Sequence, residues 1–66
     1  MKEKEIVDET YENTIRQLCT QLFSALLLPN NGTEHADAET RFQNGVRRAR
    51  DVRNRANQLL PANNGL

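Results

Sequence analysis

Two sets of apolar residues, separated by a turn that contains proline and glycine, constrain the fold of this chain most strongly. In the first half the apolar side chains recur at steps of three and four, which only an α-helix places on one side. That first set consists of Val7, Tyr11, Ile15, Leu18, Leu22 and Leu26. The second half repeats these steps with mostly smaller residues, namely Ala38, Phe42, Gly45, Ala49, Val52 and Ala56. The pattern predicts two helices, over about 4–28 and 34–60.

The segment between the two sets predicts a tight turn. Pro29 ends the first helix because the residue before a proline is pushed out of the α region. Residues 29–32, Pro-Asn-Asn-Gly, supply turn chemistry. We expect Thr33, or Asn31 together with Glu34, to cap the second helix. A short linker of this kind forces neighbouring helices to run antiparallel.

The ends and the middle of the second helix are also marked in the sequence. Pro61 closes it, so that residues 1–61 form the hairpin and residues 62–66 a flexible C-terminal tail. Asn44-Gly45 is the weak point within it, since glycine costs roughly 1 kcal/mol in a helix interior. A helix broken at Asn44-Gly45 is therefore the alternative to one long helix.

The register of the two apolar sets supports an antiparallel hairpin. In such a pair the numbers of facing residues add to a constant, and pairing the sets in opposite order gives 63 or 64 throughout. The predicted pairs are Leu26 with Ala38, Leu22 with Phe42, Leu18 with Gly45, Ile15 with Ala49, Tyr11 with Val52 and Val7 with Ala56. Most pairs match a large residue with a small one, which suits close, interdigitated packing.

Length predicts that this hairpin does not stand alone. A chain of 66 residues buries little surface, and its single cysteine excludes an intrachain disulfide. The sequence also lacks the clustered cysteines and histidines of a structural zinc site. Oligomerisation is the remaining source of stability. We therefore expect an all-α protein whose antiparallel two-helix hairpin dimerises into a four-helix bundle.

Composition narrows the classes of function. The apolar run Ala25 to Leu28 is too short to cross a bilayer, and the first ten residues lack the apolar core of a signal peptide, which favours a cytoplasmic protein without membrane contact. We expect no cofactor, no metal, no small-molecule substrate and no enzymatic activity, because neither His35 nor Cys19 has a catalytic partner in the sequence. A surface histidine and an inert cysteine are the simpler interpretations.

One flank of the hairpin is predicted to form the dimer. Stepping 100° per residue brings five residues of the two helices to the same face: Cys19, Phe23, Leu26, Val46 and Leu60. We interpret this face as the dimer interface, with Phe23 as its anchor. Toward the open end of the hairpin, Asp8 and Glu12 are predicted to form ion pairs with Arg50 and Arg53, within or between subunits.

The opposite flank is predicted to meet a partner. The net charge is zero, yet residues 1–39 sum to −5 and residues 40–66 to +5, so charge is strongly segregated. Three arginines follow a seven-residue spacing beside polar residues of the first helix, a pattern that suits oxyanions or an acidic surface. The predicted partner-binding residues are Arg41, Arg47, Arg48, Arg55, Gln17 and Gln21. Helix pairs from Asp37 to Arg41 and from Asp51 to Arg55 are the alternative interpretation.

Two functions fit these faces. The first is a small non-enzymatic interaction module, an adaptor, inhibitor or regulatory subunit that acts as a homodimer through protein–protein contacts. The second is a nucleic-acid-binding regulator of RNA or DNA that uses the arginine row. In length and topology the predicted dimer resembles the Rop type of RNA-binding bundle, although no residue motif assigns binding positions by that resemblance.

Overall fold

The computed structural model describes residues 2–30 and 32–61 and shows an all-helical hairpin. Helix α1 spans Glu3–Leu27 and helix α2 spans Glu34–Leu59, so both predicted helices are confirmed to within one residue. Helix α2 runs through Asn44-Gly45 without interruption, and the alternative of a broken helix is wrong. The predictions for Asn31 and for the tail 62–66 lie outside the described residues.

Local side-chain contacts fix the start of α1. The Glu5 carboxylate accepts a hydrogen bond from the backbone N–H of Lys2 at 3.1 Å, which satisfies a backbone donor near the helix start. Glu3 and Glu5 also place negative charge in the first turn, where the helix dipole favours it. At the other end, Leu28 has extended backbone angles just before Pro29, as the proline requires.

Asn30 and His35 make side-chain hydrogen bonds at the turn, whereas the predicted cap Thr33 makes no capping hydrogen bond. Thr33 occupies the position before α2, but its side chain makes no capping hydrogen bond. Instead the Asn30 side-chain oxygen accepts from the backbone N–H of His35 at 3.3 Å. The His35 Nε2–H in turn donates to the Leu28 carbonyl at 2.7 Å, and Gly32 takes a positive φ of 83°. Because the side chain of Asn30 accepts from the His35 N–H in the first turn of α2 and that of Thr33 accepts from none, the assignment of the cap to Thr33 was wrong.

The helices lie close together at the predicted pair of Leu18 and Gly45. A Cβ atom added to Gly45 would lie 2.7 Å from Leu18 Cδ2, closer than carbon atoms tolerate. This contact confirms the predicted register at the centre of the hairpin. It also explains a glycine in the middle of a helix, because close packing against α1 offsets the stability that glycine costs through its low helix propensity.

The hairpin is a single layer with two open faces. Its Cα atoms extend over 56 × 18 × 7 Å, and among the described residues Ala38 alone is buried, at 4% exposure. The other residues of both predicted apolar sets are at least partly exposed to solvent. The large apolar side chains that remain exposed are Ile6, Phe23, Leu26, Leu27, Leu28, Val52 and Leu59.

Val52, a residue of the predicted inward set of α2, is largely exposed. Val52 is 66% exposed, and the neighbouring Arg53 is half-buried with its guanidinium 4.4 Å from the centre of the Tyr11 ring. Helix α2 therefore turns residue 53, rather than residue 52, toward α1 near the open end. A cation–π contact stabilises this arrangement, and the predicted pair of Tyr11 with Val52 was wrong.

Candidate functional site

An open apolar groove runs between the helices on the side that carries Thr10, Thr14 and Arg48, which we call the groove face. Its volume is about 490 Å³. Gly45, Ala49 and Ala56 line it, and these small side chains leave a depression between the two helices. The full lining is Ile6, Val7, Thr10, Tyr11, Thr14, Leu18, Gly45, Arg48, Ala49, Val52, Arg53 and Ala56.

The rims of this groove expose two apolar side chains, and the sequence pattern did not single out one of them, Ile6. Ile6 on α1 is 47% exposed and Val52 on α2 is 66% exposed. Ile6 was missed because it precedes the first apolar set by one residue and does not share its spacing. Val52 was predicted to face α1, and its exposure was not expected, because the sequence cannot determine the small rotation of α2 that brings Arg53 to the seam.

A second, smaller groove continues the groove face toward the turn. It has a volume of about 210 Å³ and shares Leu18 with the larger groove. Its lining is Leu18, Gln21, Leu22, Ala38, Arg41 and Phe42. The groove face therefore follows much of the length of the hairpin, interrupted only where Leu18 packs on Gly45.

The structure places the predicted arginine row along the α2 side of the groove face. Arg48 lines the larger groove and Arg41 the smaller one, whereas Arg55 is exposed and donates to Gln58 Oε1 at 3.3 Å. Within the described part of the chain, the expected helix pairs of Arg41 with Asp37 and of Arg55 with Asp51 do not form. Among residues 2–30 and 32–61, the three guanidinium groups thus have no ion-pair partner.

The opposite side of the groove is neutral. The hydroxyls of Thr10 and Thr14 donate to the carbonyls of Ile6 and Thr10 at 2.8 and 3.0 Å, so their hydrogens are already used within α1. Gln21, one of the predicted partner-binding residues, lines the smaller groove. Gln17 and Arg47 are exposed and line neither of these grooves.

The other side of the hairpin, which we call the Phe23 face, carries the predicted dimer residues. Cys19 and Val46 are half-buried, Phe23 is 66% exposed and Leu26 is 37% exposed. These four residues lie in the half of the hairpin near the turn. Leu60 follows the end of α2 and lies at the far, open end, so the five residues do not form one continuous patch.

The open end of the Phe23 face is polar, but its predicted ion pairs are absent. A depression of about 390 Å³ there is lined by Lys4, Asp8, Tyr11, Glu12, Arg53, Asn54 and Asn57. Among the described residues the only ion pair joins Lys4 Nζ and Asp8 Oδ2, at 3.1 Å. Arg53 stacks on Tyr11 instead of meeting a carboxylate. The expected pairs of Asp8 and Glu12 with Arg50 and Arg53 were therefore wrong within a single hairpin.

Over residues 2–30 and 32–61, no group of three or more histidine, cysteine or acidic side chains is arranged to hold a metal ion. Neither α1 nor α2 is apolar enough over a sufficient length to span a bilayer.

Comparisons with protein families, with curated proteins and with solved structures find no significant match to this chain.

Proposed function

We propose that this chain is a non-enzymatic interaction module, a homodimeric four-helix bundle that acts through protein–protein contacts as an adaptor, inhibitor or regulatory subunit. The observation that carries the proposal is the near absence of a core. Ala38 is the only buried residue of the described part, while seven large apolar side chains are exposed. Burial of one such side chain stabilises by about 1.5–3 kcal/mol, so a second helical layer strongly favours the folded hairpin.

The Phe23 face is the proposed dimer interface because its two halves complement a second copy. When two hairpins pack with their turns at the same end, α1 of each copy lies over α2 of the other. Phe23 then covers the turn-proximal half of the second copy's α2, on the side of Val46. At the open end, Asp8 and Glu12 approach the second copy's Arg50 and Arg53, which supplies arginine partners that neither carboxylate has among the described residues of a single hairpin.

The reverse orientation fits less well. With the turns at opposite ends, the carboxylates of Asp8 and Glu12 face the apolar region around Phe23 of the second copy. Desolvating a carboxylate without a partner is costly, so this packing is disfavoured. We therefore propose a dimer in which both turns lie at the same end. We also propose that this dimer is cytoplasmic.

Sedimentation equilibrium over a wide concentration range tests the proposal. We expect a dimer at high concentration and a thermal midpoint that falls on dilution, because association and folding are linked. A protein that sediments as a fully helical monomer at every concentration would contradict it. Circular dichroism on the same samples separates dissociation of a folded hairpin from unfolding.

A nucleic-acid-binding function is the second candidate, and the unpaired arginines favour it. Arg41, Arg48 and Arg55 make no ion pair within the described residues, and guanidinium groups bind phosphate readily. Retention on an RNA or DNA duplex that weakens steeply with added salt would support this candidate. No retention at low salt would rule it out.

A further inference from the structure

We propose that the groove face binds one amphipathic helix of a partner protein, with acidic residues at seven-residue spacing along one edge of that helix. This inference deepens the proposed function and rests on it for the statement that the Phe23 face is occupied by the second copy. The groove face points away from that interface, so each subunit of the dimer presents one groove.

The shape of the groove suits a helix that lies along the hairpin. Its lining extends from Ile6 to Leu18 on α1, twelve steps that correspond to about 18 Å at 1.5 Å per residue. Small residues line its base, whereas Ile6 and Val52 border it. An apolar helix face inserted here removes these two exposed side chains from water, and the helix-in-groove mode is a common form of peptide recognition.

The charge of the two rims selects the partner. The α2 rim carries Arg48 at the larger groove and Arg41 at the smaller one, with Arg55 seven residues beyond Arg48 on the same side of α2, while Thr10 and Thr14 make the α1 rim neutral. Successive arginines are two helical turns apart, or about 10.5 Å along the axis. A helix docked alongside α2 matches them with glutamates at positions i, i+7 and i+14, on one edge only.

A second copy of this chain does not satisfy that charge. If two groove faces met with their turns at the same end, each arginine row would face the neutral threonine rim of the other copy. If the turns lay at opposite ends, one arginine row would approach the other and repel it. Nucleic acid matches the charge but leaves the apolar groove between the rims without a counterpart.

A designed peptide tests the proposal on the full-length protein. The probe is a fluorescently labelled helical peptide of about 18 residues, with leucines on one face and three glutamates at seven-residue spacing on one edge. The matched control has lysines in place of the glutamates. We expect fluorescence anisotropy to show binding of the glutamate peptide that is at least about tenfold tighter than that of the lysine peptide.

Two variants assign the binding to this groove. Arg48→Glu should weaken the glutamate peptide and strengthen the lysine peptide, a reversal that simple unfolding cannot produce. Val52→Asp should weaken the glutamate peptide, because the carboxylate is placed in the apolar groove beside like charge, while Leu27→Asp, at a position 83% exposed, should leave binding unchanged.

The outcomes separate this inference from the dimer. Equal affinity for both peptides, no binding of either, or equal effects of Val52→Asp and Leu27→Asp would overturn the inference. Tighter, salt-sensitive binding of an RNA duplex that is insensitive to Val52→Asp would overturn it in favour of nucleic acid. Sedimentation of the same samples reports the dimer independently, so loss of the dimer and loss of peptide binding are distinguishable.

Discussion

Phe23 and Val52 are equally exposed in the hairpin, at 66% each, but they lie on opposite faces and toward opposite ends. The Phe23 face carries charges of both signs at its other end, including Asp8, Glu12 and Arg53. The groove face carries arginines beside neutral threonines. A surface with both signs can complement itself in a two-fold dimer, whereas a surface with one sign needs a partner of different composition. Exposed apolar area alone does not separate the two functions; the surrounding charge does.

The largest effect is expected when the Phe23 face is broken. Phe23→Asp removes an apolar anchor from each of the two subunits, each worth about 1.5–3 kcal/mol when buried, and adds an unpaired charge. We expect the dimer dissociation constant to rise at least about 100-fold. Sedimentation velocity across a dilution series measures it.

Val52→Asp is the matched control for this change, since it introduces the same charge at an equally exposed position of the other face. It should leave the dimer dissociation constant within about threefold of the original value, because exposed substitutions away from an interface cost little. Similar dissociation of both variants would mean that the two faces do not differ as proposed.

The seam between the faces is tested at Gly45 and Leu18. A larger side chain at Gly45 forces Leu18 away, so Gly45→Leu should lower the free energy of unfolding by about 1–3 kcal/mol. In a Leu18→Ala background the clash is gone, and Gly45→Ala should raise that free energy by roughly 1 kcal/mol through helix propensity. Urea denaturation measures the free energy of unfolding of Gly45→Leu, Gly45→Ala, Leu18→Ala and the double variant Leu18→Ala/Gly45→Ala. An equal response to Gly45→Ala with and without Leu18 would show that no close contact exists there.

The turn joins the two helices, and substitutions at its capping residue should affect the stability of the hairpin. Asn30→Ala removes the side chain that caps α2 and should cost about 0.5–2 kcal/mol of unfolding free energy. Thr33→Ala is the control, because Thr33 makes no capping hydrogen bond and its hydroxyl lies 3.5 Å from Asp37 Oδ2. Thermal unfolding compares the two. A larger loss for Thr33→Ala would restore the cap that the sequence predicted.

The smallest effect is expected for the contact that orients α2. The Arg53 guanidinium lies 4.4 Å from the centre of the Tyr11 ring, a geometry worth about 0.5–1 kcal/mol at an exposed site. A double-mutant cycle with Tyr11→Leu and Arg53→Met should show a coupling of that size. Strictly additive effects would indicate that Arg53 does not hold Val52 on the groove face.

The sequence was sufficient for the hairpin but not for details of its faces. The three- and four-residue spacing of the apolar residues and Pro29 determined both helices, because both are local constraints. The pairing of Leu18 with Gly45 determined the register, because it is a steric constraint between two residues. The rotation of α2 depends on whether Val52 or Arg53 packs on Tyr11, and amphipathic spacing favoured the valine. The cap by Asn30 depends on the path of the turn. The sequence alone favoured Thr33 or Asn31, because both also carry side chains that can cap a helix.

The arginine row illustrates the same division. Its position along α2 followed from helical spacing alone, and the structure places Arg41 and Arg48 beside grooves. The expected ion pairs at i and i+4 required side-chain conformations that the spacing permits but does not impose. The apolar groove itself was not predicted. Its depth arises from small residues on α2, and the exposure of Val52 on its rim depends on the rotation of the same helix.

Solvent paramagnetic relaxation of the folded protein, measured at a concentration where it is dimeric, tests the difference between the faces most directly. A soluble nitroxide attenuates NMR signals in proportion to their exposure. In an isolated hairpin the Phe23 ring and the Val52 methyl groups would be attenuated alike, since both are 66% exposed. The proposed dimer predicts strong attenuation at Val52 and clear protection at Phe23. Equal attenuation of the two, or protection of Val52 with attenuation of Phe23, would contradict it.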